Sequence, residues 1–128
     1  MPSINRPLAG EILSFHLADE AAQVERTGLA ERQGRSARTL VKNGPMRVTL
    51  ITVAAGETIP EHRAPGPVTV MPISGQVTFH MDGSDAPLEV GDLLALGPGV
   101  VHTVSSESGG AFVLTVVNPE GTPSRTGG

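Results

Sequence analysis

At 128 residues, with 16 Gly, 11 Pro, three aromatic residues and no Cys, Trp or Tyr, the chain has room for one domain whose core must be aliphatic. The lack of Cys excludes disulfides, thiolate metal sites, iron–sulfur clusters and a cysteine nucleophile. A formal charge of −4, together with the absence of Tyr and Trp, argues against a nucleic-acid partner, a base-stacking platform and an aromatic sugar site. The first ten residues carry one Arg and no apolar segment of the signal-peptide kind. No apolar run approaches the roughly 18 residues that span a bilayer. The expected location is therefore cytoplasmic, with no membrane partner.

In chain order, residues 17–26 (LADEAAQVER) are rich in helix formers and place Leu17, Ala21 and Val24 on one stripe, with Gly28 as a stop. Residues 29–37 read as a solvated connector, and the Arg32, Arg35 and Arg38 cluster reads more simply as surface than as an anion site. Beyond Arg38 the period changes to two, with Gly, Pro, Asn or Asp every six to ten residues. Strands are expected at 38–42, 46–54, 60–64, 67–73, 76–82, 86–89, 92–96, 102–106 and 110–117. Such a series indicates an all-β sandwich or barrel over 38–117, preceded by an extension (1–37) with one helix and followed by a mobile tail (118–128) without apolar anchors.

Two of the four His stand at strand starts after Gly/Pro turns. His62 follows Gly56-Glu57-Thr58-Ile59-Pro60-Glu61, and His102 follows Gly97-Pro98-Gly99-Val100-Val101. In a small barrel such positions lie near the mouth or along the inner wall. On these residues the chain resembles the cupin superfamily, in particular its small single-domain, conserved-barrel, RmlC-like members. The family's first motif is matched by Gly56, five residues, His62-Arg63-Ala64 and then Gly75. The second is matched by Gly91, five residues, Gly97-Pro98-Gly99, two residues and His102. Together the motifs cover about residues 46–117. The resemblance implies an all-β, double-stranded β-helix: a jelly-roll barrel, often dimeric, with any site inside it.

The chain also departs from that pattern. Metal-binding cupins usually offer three His and one Glu, and by register Ala64 stands at the second His and Val68 at the Glu. Two imidazoles leave most coordination positions of a divalent ion to water. Alternation turns Glu61 away from His62, and Glu57 sits in the preceding turn where nothing in the spacing selects it. Treating Ser74-Gly75 as a hairpin tip places Val68, Val70, Pro72, Val77, Phe79 and Met81 on the lining face, with His80 opposite, in a structural or interface role. Phe79 is then the one aromatic residue expected to line the barrel.

The expected interior is apolar, with two inward imidazoles. Its ligand-binding candidates are His62, His102, Phe79, Met81, Val68 and Val70, with Arg63 near the mouth. That pattern fits a small-molecule pocket for an apolar or carboxylate-bearing ligand, and equally a plain core with two His at its edge. An alternative is a metal-dependent enzyme of dioxygenase, isomerase or decarboxylase type, in which His62 and His102 hold one divalent transition metal ion. Metal-free acid–base chemistry by the two His is a third reading. The face carrying Thr69, Met71, Ile73 and Thr78 is expected to pack against the helix or a second chain, and a homodimer is expected.

Overall fold

The computed structural model describes residues 7–119, which form one helix, α1 (Leu17–Ala30), and eight strands. These are β1 (Arg35–Asn43), β2 (Met46–Val53), β3 (Thr58–His62), β4 (Val68–Met81), β5 (Ser84–Glu89), β6 (Leu94–Leu96), β7 (His102–Ser105) and β8 (Gly110–Val117). All pairings are antiparallel, in the order β1-β2-β8-β4-β7-β3, with β5 and β6 also pairing β4. The architecture is all-β, a curled antiparallel sheet with one short helix, in keeping with the jelly roll that the sequence resemblance implies.

Strand β4 joins the two halves of the barrel. Its first part pairs with β8 and β6, and its second with β5 and β7. The hairpin expected at Ser74-Gly75 is therefore replaced by a bend in one continuous strand. Gly75 has φ +65°, and a Cβ there would collide with the carbonyl oxygen of Gly109, so only glycine allows the strand to turn at this point. Just before the bend a bulge at Ile73, between the pairing of Pro72 with Phe112 and that of Ser74 with Ala111, shifts the alternation by one residue, as the expected hairpin would. Val70, Pro72, Val77 and Phe79 consequently all face inward and are buried.

Two cores result. The interior cluster contains Val68, Val70, Val77, Phe79, Val104, Phe112 and Leu114. The second lies under α1, where Ala21 and Val24 meet Leu40, Leu50, Ala111 and Val113 from the outer face of the sheet. Strand β8 is covered on both faces and reads as a nearly continuous apolar run.

The amino-terminal part differs from expectation in two ways. The helix continues through Gly28 to Ala30, because Gly28 packs against β1 where a Cβ would meet Ser36 Oγ at 2.5 Å. The expected connector is also shorter, since β1 begins at Arg35 and pairs Arg35 with Val53. Asn118 still donates its backbone N–H to the Pro45 carbonyl at 2.7 Å, while residues 1–6 and 120–128 of the expected extension and tail lie outside the described residues. Among the described residues no helix is long and apolar enough to cross a membrane.

Arg38 fastens α1 to the sheet. Its guanidinium donates to Glu20 Oε1 at 3.1 Å and Gln23 Oε1 at 2.9 Å, with the Arg38 and Glu20 side chains only 19% and 11% exposed. Removing Arg38 alone takes a cation away from a largely buried carboxylate. Arg38→Met is expected to cost about 1–3 kcal/mol, read as a lower urea midpoint, and Arg38→Met/Glu20→Leu to recover part of that loss. An unchanged midpoint in Arg38→Met would show that the pair does not hold the helix.

Candidate functional site

Strands β1 and β3 are the two ends of the hydrogen-bonded order, so the curled sheet is not closed between them. A cavity of about 420 Å³ opens at this seam, lined from β1 by Arg35, Ser36 and Ala37 and from β3 by Ile59, Pro60, Glu61 and His62. Its inner wall is formed by Ile51, Phe79, His102, Val104, Phe112 and Leu114. The volume falls within the range of small-molecule sites.

A bulge in β3 sets the rim. Ile59 pairs with Val104 and His62 with His102, so two residues on β3, Pro60 and Glu61, oppose the single Thr103 on β7. Pro60, which has no N–H to contribute to a ladder, lies in the bulge with Glu61. This interruption of the alternation puts Glu61 among the cavity-lining residues instead of turning it away. Arg63 is exposed and does not line the cavity, and the cation at the mouth is Arg35.

Four aromatic rings run in a row from the rim to the interior. His62 meets His102 edge-on at 5.6 Å, His102 stacks on Phe79 at 5.4 Å and 29°, and Phe79 meets Phe112 edge-on at 5.5 Å. Each contact lies in the favourable distance range for ring pairs. Phe112 thus joins Phe79 in the wall, correcting the expectation of a single lining aromatic. Alternation alone could not select its face, because both faces of β8 are apolar and buried.

His102 is 5% exposed. Its Nδ1 lies 3.1 Å from the Val100 carbonyl oxygen, which can only accept, so Nδ1 carries the proton and Nε2 keeps a lone pair. Burial lowers the His102 pKa below 6.5, the Val100 hydrogen bond opposes that shift, and the neighbouring His62 adds to it. The ring is neutral at physiological pH and presents an acceptor.

Among the sequence-derived candidates, the structure brings His62, His102 and Phe79 together at the cavity. Val68 and Val70 do face inward, but they are buried in the packed part of the barrel against β6 and β8, where Leu94, Leu96, Leu114 and Val116 fill the space. Met81 is in register with His102 yet packs at the margin of the core, and none of these three lines the cavity. His80 faces outward, with Nδ1 3.0 Å from Asp85 Oδ1 and Nε2 2.7 Å from Ser105 Oγ, tying β4 to β5 and β7. Glu57 is exposed, and its side chain lies over Gly34, where a Cβ would collide with it.

The positions of the second family His and the Glu hold Ala64 and Val68, which are 4% and 3% exposed and apolar. Among the described residues no group of three or more His, Asp or Glu side chains is placed to hold a metal ion. The donor set therefore does not fit the family's usual metal centre.

Comparison with known proteins agrees with this fold. The family model described as a cupin domain matches residues 49–118. The chain belongs to the cupin family. No curated protein sequence matches it. Among solved structures, this cupin is similar to the conserved SPY1581 protein of unknown function from Streptococcus pyogenes, at 24% identity and a TM-score of 0.68 over 94% of this chain and 97% of that one. It is also similar to a mutant salicylate 1,2-dioxygenase from Pseudoaminobacter salicylatoxidans, at 17% identity and a TM-score of 0.71 over 88% of this chain but 37% of that one. A third is DMSP lyase DddQ from Ruegeria pomeroyi, at 16% identity and a TM-score of 0.65 over 75% of this chain and 53% of that one. At these identities the likeness concerns the fold.

The His102 environment has a measurable consequence. A folded-state pKa below the unfolded value means that the unfolded chain takes up a proton first as pH falls. Stability is then fully present above about pH 6.5 and declines as pH drops toward the folded-state pKa of His102. Ring resonances of His102 followed against pH should show a midpoint below 6.5, and His102→Gln should flatten the pH dependence of the urea midpoint in that window. A His102 midpoint at or above 6.5 would contradict the buried, neutral ring.

Proposed function

We propose that this cupin binds a small, largely apolar molecule in the seam cavity, with His62 and His102 as polar contacts at its wall. The observation that carries the reading is the cavity itself, about 420 Å³ of space bounded by Ile51, Phe79, Phe112 and Leu114 and reached between two unpaired strand edges. Burying an apolar ligand there gains about 25 cal/mol per Å² removed from water. The acceptor nitrogen of His102 gives a ligand donor one fixed direction. Such a site requires no metal. The alternative is a metal-dependent cupin enzyme of dioxygenase, isomerase or decarboxylase type. It draws support from the direct cross-strand pairing of His62 with His102, but lacks a carboxylate ligand.

A neutral apolar fluorophore, N-phenyl-1-naphthylamine, should bind at about one per chain. Ala37→Trp, which fills the cavity from β1, should weaken it by about tenfold or more with the circular dichroism spectrum unchanged. Untagged protein should carry less than about a tenth of an equivalent of transition metal. A stoichiometric ion whose removal abolishes turnover would replace this reading with the metal-dependent one.

For assembly, we propose a homodimer. Ile73 packs under α1, whereas Met46, Met71 and Val117 remain 39%, 43% and 43% exposed on the same outer sheet face. Met46 and Val117 are directly paired, so these residues extend the covered apolar face beyond the helix. An isologous contact through this patch is the simplest way to bury it. Light scattering at micromolar concentration should give twice the chain mass, and Met71→Asp should return the monomer. A monomeric mass for the unaltered protein would refute the dimer.

A further inference from the structure

Arg35 opens β1 at one edge of the seam. The register pairs Arg35 with Val53 and Ala37 with Ile51, and both partners pack with the interior cluster. Arg35 and Ala37 therefore share the inward face, while the intervening Ser36 reaches toward Gly28 and borders the cavity at its edge. Of the three Arg near the start of the sheet, Arg38 is bound to Glu20 and Gln23, whereas Arg35 makes no side-chain ion pair or hydrogen bond among the described residues. A guanidinium facing the mouth of an apolar cavity attracts anions more strongly than one on an open surface, because low-dielectric walls focus its field. Its planar donors match a carboxylate in bidentate fashion.

His102 directs an anion to the same place. His102 is neutral and offers a lone pair on Nε2, which repels a carboxylate oxygen and accepts from a donor. The anionic end of a ligand is thus turned away from the inner wall and toward Arg35, with Gln33 beside it among the lining residues. Glu61 lies on the facing strand, within the bulge between inward Ile59 and His62, and it would favour an ammonium group. Both side chains are exposed at the rim, but Arg35 takes a regular inward register position opposite Val53 whereas Glu61 lies in the bulge outside the ladder, so the cation is the charge aligned with the cavity wall.

We infer that the seam cavity takes an amphipathic monocarboxylate, its carboxylate held by Arg35 and its apolar body against Ile51, Phe79, Phe112 and Leu114. The inference rests on the reading of the cavity as a ligand site, and it adds the sign and position of the ligand's charge.

Calorimetric titration near neutral pH with 3-phenylpropionate, its neutral amide and 3-phenylpropylamine separates the two statements. The acid should bind about tenfold or more tightly than the amide, with an advantage that shrinks as salt is raised. Arg35→Gln should abolish that advantage while leaving the amide within about twofold, which also shows that the cavity is intact. Arg35→Lys should restore part of it. Equal binding of acid and amide, or an advantage that survives Arg35→Gln, would overturn the carboxylate assignment and leave the cavity reading standing. A preference for the amine that disappears in Glu61→Gln would overturn it in favour of a cationic ligand. Failure of all three probes to bind would overturn both statements.

Discussion

The passage of β4 across Gly75 is the constraint on which the remaining geometry depends. A side chain at this position would strike the backbone of Gly109, so the strand bends where two glycine-bearing segments touch. The bend lets one strand pair with β8 and β6 on one side and β7 and β5 on the other, which curls a single hydrogen-bonded order into a barrel. The adjoining bulge at Ile73 offsets the alternation by one residue, keeping Val70 and Phe79 on the same inner surface. Because the order ends at β1 and β3, the curl stops short of closure. The cavity is the space left between those ends.

What fills the barrel decides where that space can be. At the end bounded by β6, aliphatic side chains from three strands occupy the interior. Near the seam the row of His62, His102, Phe79 and Phe112 forms a wall one ring deep, and the facing positions on β1 are the small Ala37 and the edge residue Arg35. The ring row also sets the electrostatics of the wall. Burial and the Val100 carbonyl fix His102 as a neutral acceptor, so the inner wall adds no positive charge there and the cation at the mouth is Arg35 on β1.

Against the metal-binding pattern of its family, this cupin keeps one His in each motif and carries buried apolar residues at Ala64 and Val68. The substitutions are mutually consistent. Losing a carboxylate while keeping its polar surroundings would leave buried groups unpaired, whereas here the positions have joined the core. The interior is thus packed around two imidazoles in edge contact with each other, of which His102 also stacks on Phe79 and hydrogen-bonds the Val100 carbonyl.

The sequence by itself determined the all-β class, the cupin resemblance and the inward placement of His62, His102 and Phe79, because period-two alternation and the Gly/Pro punctuation of the two motifs are local properties. The inward face of β4 is the one a hairpin at Ser74-Gly75 would give, since the bulge at Ile73 shifts the alternation by the same one residue. Other features were decided only by the tertiary structure. The seam depends on which strands end the order, and the β3 bulge that admits Glu61 depends on pairing with β7. Phe112 sits in a strand buried on both faces, where no polar alternation marks the inner side. Arg35 lay in what read as a polar connector, and it became a cavity residue because its backbone pairs with Val53, a contact eighteen positions away that no local pattern encodes.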